Sequence, residues 1–369
     1  MTRIPANVRT WVEVDLSAIQ HNARLVRSLV GPGSAILAVV KADAYGHGVK
    51  PVVRALAEDV EIFGVANLRE AREIASAGTG RDIMILSPCL PAERRGAVAG
   101  NFIVTVSSAA EAAAYSSRGA ARLNFKIDTG MGRVGCHPDS AIETLRDILH
   151  LPRISIHSIS THLPSADEDP HFTEQQLLGF SRLLARLREI LPDVRAHSLN
   201  SAGILTSPSD ALEIVRPGLM LYGSSPVPEL QEKLRPALAW KTRVSLVRDI
   251  AAGTGIGYGR TFIAPHSMRV AVLAAGYADG YPRQVSGRGA EVLIHGKNCP
   301  LLGRVTMDQL VVDVSKIPEV REGDTATLLG SDPAGGEIPA ARLAALADTI
   351  PWDIFTGIGQ RVRRFHSRA

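Results

Sequence analysis

Ala38-Val39-Val40-Lys41-Ala42-Asp43-Ala44-Tyr45-Gly46-His47-Gly48 is the stretch from which the rest of the chain is read. An apolar run, Ala35 to Val40, ends abruptly in a lysine, and two glycines follow close behind. A short apolar run before such a break reads as a buried strand. A lysine at its end has its stem in an apolar wall, and desolvation lowers an amine's pKa. Only the neutral amine attacks a carbonyl. The competing reading is a strand-end lysine that simply reaches solvent.

Outward from Lys41 a regular rhythm appears. Short apolar runs recur at Ile62 to Ala66, Ile83 to Leu86, Phe102 to Val106, Leu123 to Ile127, Ile154 to Ile159, Ala196 to Leu199 and Leu212 to Val215. Helical patterns separate most of them. Asn67 with Glu70, Ser108 with Glu111, and Thr173 with Gln176 each resemble a capping box. Asp15 can cap a helix bearing Leu16, Ile19, Val26 and Leu29. Eight apolar runs alternating with helices predict a parallel sheet closed as a (β/α)8 barrel. The doubly wound alternative needs a G-x-G-x-x-G after its first strand, and none stands there. A barrel places its chemistry at the C-terminal strand ends. Lys41, Lys126, Asp128, Thr161, His162, Asn200, Ser201 and Arg216 all fall at those ends.

After about Leu234 helical patterns nearly vanish until Ala340. Val270 to Leu273, Val292 to Ile294, Leu310 to Val314 and Thr325 to Leu329 read as strands, with a turn at His295-Gly296-Lys297-Asn298. The expected division is a barrel over 1–235 and a mostly β domain over 236–369, with residues 1–14 expected to pair with the second. Of the 369 residues, 45% are hydrophobic and 21% charged, and the net charge is +4 with both signs interleaved. That balance argues against a nucleic-acid or membrane partner and remains compatible with small anions. Cys89, Cys136 and Cys299 are too scattered for a disulfide framework or a metal site. The first fifteen residues lack the apolar core of a signal peptide, and no stretch is apolar enough to span a bilayer. A soluble cytoplasmic protein is the expectation.

Other candidates are weaker alone. Gly255-Ile256-Gly257-Tyr258-Gly259 is a tight segment presenting Tyr258, or a loop with a packed tyrosine. Arg216-Pro217-Gly218-Leu219 puts a cation at a strand end with exposed backbone behind it, a geometry that offers N–H groups to a phosphate. A structural ion pair competes with that reading. Met307-Asp308 begins a β-domain strand, where core packing is the default for a methionine.

Taken together these residues carry a resemblance. AVVKADAYGHG, KIDTGMGRVG (Lys126 to Gly135), STH (Ser160 to His162), NSAG (Asn200 to Gly203), VRPGLMLYG (Val215 to Gly223), GYG around Tyr258, GYADGY (Gly276 to Tyr281) and TMDQ (Thr306 to Gln309) occur in the order seen in bacterial alanine racemases. The chain resembles that family from Trp11 to about Val362. The resemblance implies a pyridoxal 5'-phosphate enzyme, a (β/α)8 barrel plus a β domain. It also implies a homodimer whose active site is shared between subunits, interconverting L- and D-alanine for peptidoglycan. By motif position, Lys41 resembles the lysine that holds the cofactor as a Schiff base. Tyr45, Ser201, Gly218 and Leu219 resemble phosphate contacts. Arg216 matches the arginine facing the pyridine nitrogen, and His162 the residue that buttresses it. Arg133 matches the substrate-carboxylate contact, and Lys126 a lysine carbamylated in some members. Tyr258 resembles the second catalytic base, reaching into the partner's site. Met307 resembles a substrate contact, with Tyr277 and Asp308 near the mouth of the site. Gln360 stands where some members carry a phosphate-binding tyrosine, and its amide can still donate.

Racemisation needs acid/base groups on both faces of Cα, which suits the pair Lys41 and Tyr258. Arg216, protonated in all ordinary conditions, is a poor proton donor to the ring nitrogen. That disfavours a fold-related decarboxylase, which benefits from a stronger electron sink. A non-catalytic carrier of the cofactor and a racemase of another small amino acid such as serine are the remaining alternatives.

Overall fold

The computed structural model describes residues 4–367. The chain divides into two units. One comprises Ala18–Ala44 and Val49–Arg235; the other takes the chain up to Ser17, Tyr45–Gly48 and everything from Pro236.

The strands in chain order are β1 (Thr10–Val14), β2 (Ala35–Val39), β3 (Ile62–Val65), β4 (Asp82–Ile85), β5 (Ile103–Val106), β6 (Ala121–Lys126), β7 (Ile154–Ser160), β8 (Arg195–His197), β9 (Ile214–Val215) and β10 (Leu238–Ile250). β2 to β9 form one all-parallel sheet in the order β8-β7-β6-β5-β4-β3-β2-β9. Arg216 N donates to Leu199 O at 3.0 Å, just beyond β9 and β8, and draws the two edges together. The predicted barrel is therefore present, and every apolar run marks one of its strands. Most of its strands read as nearly continuous apolar runs because they are buried on both faces; β7 is the more open exception over its first four residues. Leu37, Phe63, Met84, Ile103, Leu123 and Phe125 are all fully buried, each such side chain being worth about 1.5–3 kcal/mol.

Two of the three N-caps form, with each glutamate reaching the N–H before the cap (Ala66 and Ser107) rather than closing a full capping box. Asn67 Oδ1 accepts from Glu70 N at 3.0 Å, and Ser108 Oγ accepts from Glu111 N at 3.2 Å. The third does not. Helix Pro170–Arg188 is capped by Asp169, whose carboxylate accepts from Phe172 N at 2.9 Å, with proline at its first position. Thr173 therefore lies inside the helix, where its neighbour Gln176 has a different use described below.

In the second unit β1 pairs antiparallel with β10 and parallel with Arg363–His366. β10 is thirteen residues long. Its first half pairs with β1 and with Thr325–Ser331, and its second half with Met268–Leu273. Glu291–Ile294 and Lys297–Pro300 form a hairpin. Its turn is shorter than the sequence suggested: only His295 (φ 51°) and Gly296 (φ 72°) take positive φ, as a two-residue turn requires. Lys297 and Asn298 are already strand. No helix among the described residues is long and apolar enough to cross a membrane.

Candidate active site

Lys41 leaves the C-terminal end of β2, where Val39 is fixed from two sides. Val39 N donates to Pro217 O at 2.9 Å, and Tyr222 Oη donates to Val39 O at 3.0 Å. Burial lowers the Lys41 amine below its ordinary pKa, the Arg133 charge adds to this, and Glu70 opposes it. The helical turn Lys41–Gly46 that follows is left-handed: φ is 52° at Ala42, 55° at Asp43, 54° at Ala44 and 53° at Tyr45. That hand costs L-residues about 1–2 kcal/mol each. Hydrogen bonds over-determine it. Glu70 Oε1 accepts from Ala42 N at 3.0 Å while its Oε2 holds Ala66 N at 2.8 Å, and Asp43 Oδ1 accepts from Val49 N at 2.6 Å. Glu70, read in the sequence only as a cap residue, thus clamps the backbone next to the lysine. Tyr45 is buried, and burial pushes its phenol up to about 12.

Arg216 follows β9 and is only 5% exposed. It has no carboxylate partner among the described residues. Its Nη1 donates to His197 Nδ1 at 2.6 Å; its Nη2 faces Thr161 O at 2.8 Å, Ser198 O at 2.9 Å and His162 Nδ1 at 3.3 Å. Its Nε bonds to none of the described residues. Burial lowers the guanidinium to about 10, and it remains a cation at neutral pH. His162 does abut it, but His197 is the closer and the more deeply buried imidazole. The sequence reading missed His197 because it sits inside an apolar run. Burial, then the neighbouring cations Arg216, Lys126, Arg133 and Lys41, push His162 down to about 2. His197 is likewise held neutral by burial and by Arg216.

Lys126 ends β6. Its amine is driven well below the ordinary range by burial, then by Arg216 and Arg133. Arg133 rides on a loop folded round one carboxylate. Asp128 accepts from the backbone N–H groups of Gly130, Met131, Gly132 and Arg133 at 2.8–3.1 Å. Burial would raise that carboxyl, but the four donors outweigh it and hold it low. Gln176, the residue first read as part of a cap, ties the rim together. Its Nε2 donates to Thr129 Oγ1 at 2.8 Å and to His162 O at 2.9 Å.

Ser201 begins helix Ser201–Thr206 and accepts from Gly218 N at 2.9 Å. Gly218 in turn precedes the 3-10 turn Leu219–Tyr222. Two first-turn segments therefore meet at one hydroxyl, and the leading N–H groups of a helix have no intrahelical acceptor. Lys41, Lys126, Arg133 and Arg216 thus gather at one rim, with both nearby carboxylates, Glu70 and Asp128, bound to backbone N–H groups. That donor set suits an anion, with Arg216 Nε left to meet an acceptor nitrogen or oxygen. Among the described residues there is no cluster suited to a metal ion.

The remaining candidates belong to the second unit. Tyr258 stands between Gly257 (φ 69°) and Gly259 (φ 73°) just after the strand Gly255–Ile256, and is 71% exposed. Met307 and Tyr277 are exposed too. Their segments pack together: Tyr277 N donates to Thr306 O and Ala278 N to Met307 O, both at 3.0 Å. A Cβ at Gly276 would lie 2.4 Å from Met307 O, so only glycine permits that approach. Asp308 is held by Arg361 at 2.6 Å, and the same guanidinium binds Asp279 at 2.7 Å. Gln360 beside it is exposed, and its amide bonds to none of the described residues.

Comparison with known proteins agrees over the whole length. Residues 14–226 match the profile of the alanine racemase N-terminal domain, and residues 237–366 that of its C-terminal domain. An alanine racemase of Halothermothrix orenii is 40% identical over 366 residues, covering 96% of each chain. Among solved structures, an alanine racemase of Streptomyces lavendulae is 36% identical with a TM-score of 0.89, covering 100% of this chain and 98% of that one. The alanine racemase of Bacillus anthracis with bound L-Ala-P is 32% identical with a TM-score of 0.90, covering 99% and 96%.

Proposed function

Because the chain belongs to the alanine racemase family, we propose that it interconverts L- and D-alanine with pyridoxal phosphate as cofactor, as a homodimer. The observation that carries this is the rim at which Lys126, Arg133 and Arg216 gather about the desolvated Lys41 amine, with Glu70 and Asp128 already bound to backbone N–H groups. Such a set repels inorganic cations and suits a ligand bearing both a phosphate and a carboxylate.

When bound, the cofactor supplies the conjugated ring that takes up the charge left as Cα loses its proton. The chain's residues do the rest. Lys41, its amine lowered by burial, would hold the cofactor's aldehyde carbon and would exchange a proton on one face of Cα. Tyr258 of a second copy exchanges the proton on the other face. Its exposure in the single chain, shared by Tyr277 and Met307, supports a site completed by that copy. Arg133 grips the substrate carboxylate through its fork of donors, on a loop set by Asp128. Met307 limits the space for the side chain, and Tyr277 and Asp308 stand at the mouth. Ser201, Gly218, Leu219 and Tyr45 hold the phosphate, and Gln360 adds an amide donor. Arg216 would offer its Nε to the ring nitrogen and, as a donor that keeps its own proton, would leave that nitrogen unprotonated and so disfavour transamination. Lys126 is the position at which carbamylation would turn a cation into an anion beside Arg133.

Borohydride reduction and peptide mapping test the attachment, and a chiral assay with solvent-deuterium incorporation at Cα tests the reaction. Label on Lys41 and deuterium in both enantiomers are expected. Label on another lysine, or alanine unchanged in configuration, would overturn the proposal.

A further inference from the structure

A chain of buried side chains runs from Arg216 across the barrel interior. His197 Nδ1 meets Arg216 Nη1 at 2.6 Å, and His197 Nε2 meets Ser158 Oγ at 3.2 Å. Ser158 Oγ is 3.1 Å from Asn124 Oδ1 and 3.1 Å from His157 Nδ1. Asn124 Nδ2 reaches Thr105 Oγ1 at 3.1 Å, and Thr105 Oγ1 reaches Ile85 O at 2.8 Å. His157 Nε2 meets the Arg195 guanidinium. Thr105, Asn124, Ser158 and His197 are all at most 2% exposed.

The proton positions along this chain follow from its ends. A guanidinium only donates and a backbone carbonyl only accepts. From the arginine ends, His197 Nδ1 and His157 Nε2 must both accept, so His197 carries its proton on Nε2 and His157 on Nδ1. From the carbonyl end, Thr105 spends its proton on Ile85 O and can only accept from Asn124. Asn124 must therefore turn its oxygen to Ser158, and Ser158 must donate to it. Ser158 is then left with two acceptor sites, which are what the two imidazole N–H groups require. Two independent derivations give one assignment, with no donor facing a donor. The β-bulge in β7, where the pairing shifts between Leu123/Ile156 and Asn124/Ser158, inserts His157 as the extra residue and lets both His157 and Ser158 join the chain.

We propose that Ser158, oriented by Asn124 and Thr105, is a positioning residue that fixes His197 as a neutral acceptor and thereby aims the Arg216 guanidinium. Its loss frees His197 to turn its proton onto Nδ1, where it faces the Arg216 donors. The kinetic part of this inference rests on the proposed cofactor contact of Arg216; the tautomer does not.

The test uses the holoenzyme with ring-15N histidine, His197 being assigned with His197→Gln. In the parent, His197 shows an unprotonated Nδ1 and a protonated Nε2. Ser158→Ala is expected to give mixed tautomers or an imidazolium. It should also lower kcat by about tenfold or more with alanine KM within about twofold, and raise the fraction of turnovers ending in transamination. Ser158→Thr, which keeps the hydroxyl, restores all three. Thr105→Val, close in shape to the parent, breaks the far end of the chain and is read in place of Ser158→Ala should that variant not fold. A parent His197 protonated on Nδ1 overturns the relay whatever the activity. So does an unchanged tautomer and product ratio in both Ser158→Ala and Thr105→Val. A fixed tautomer in a protein with no racemase activity leaves the relay standing and removes the functional reading instead.

Discussion

The candidate residues of the barrel and those of the β unit are held in opposite ways. In the barrel, Arg216, His197 and Ser201 are buried and every nearby carboxylate is already bonded. In the β unit, Tyr258, Tyr277 and Met307 stand in solvent on segments whose glycines fix the backbone and leave the side chains uncovered. A buried cation needs fixed polar neighbours, because its desolvation is costly. An exposed phenol needs none until something covers it. The difference teaches that the barrel residues are held in place within one chain, whereas Tyr258, Tyr277 and Met307 are left uncovered by it, which is what the proposed second copy would supply.

Three variants sharpen that contrast. Lys41→Ala touches the preorganised half at its reactive atom. It should lower racemisation by about 10,000-fold or more and also abolish covalent cofactor retention after borohydride, measured by absorbance of the desalted protein. Tyr258→Phe touches the exposed half. A loss of about 100- to 10,000-fold is expected, with unchanged thermal midpoint and cofactor content; a matching loss of cofactor would break the contrast. Arg133→Lys keeps the charge but loses the fork. The alanine KM should rise about ten- to a hundredfold with a smaller change in kcat, read from steady-state kinetics in both directions.

The smallest effect is on stability with pH. His157 is held down to about 4 by burial and then by Arg195 and Arg122, and His162 lies lower still. Their folded pKa values lie below the ordinary value near 6.5, so the unfolded chain binds more protons between the two. The stabilisation is complete above about pH 6.5 and is lost as pH falls toward 4. Thermal midpoints should decline across that window, less steeply in His157→Gln. Equal slopes for parent and variant would show that the imidazole is already charged.

The barrel was legible because strands covered on both faces are mostly apolar, and all eight runs stood out despite buried Thr105, Asn124 and Ser158. β10 was not, since Lys241, Thr242, Arg243 and Ser245 interrupt it and its pairings change along its length. The family resemblance brought out Arg133, and rim position brought out Lys41, Lys126, His162 and Arg216. It could not bring out His197, Asn124 or Ser158, which lie within strands or apolar runs, where packing is the ordinary explanation. Glu70 looked like part of a cap because its backbone N–H donates to the Asn67 cap; its carboxylate reaches Ala42, a contact that sequence distance hides. The turn at Ala42–Tyr45 contains no glycine to announce its hand.

That turn has a stereochemical consequence. Four successive L-residues occupy the region natural to their mirror images. A semisynthetic chain carrying D-alanine at positions 42 and 44 would follow the same path without the Cβ clash. The product proposed for this enzyme is thus the building block that would relax the loop beside its own reactive lysine.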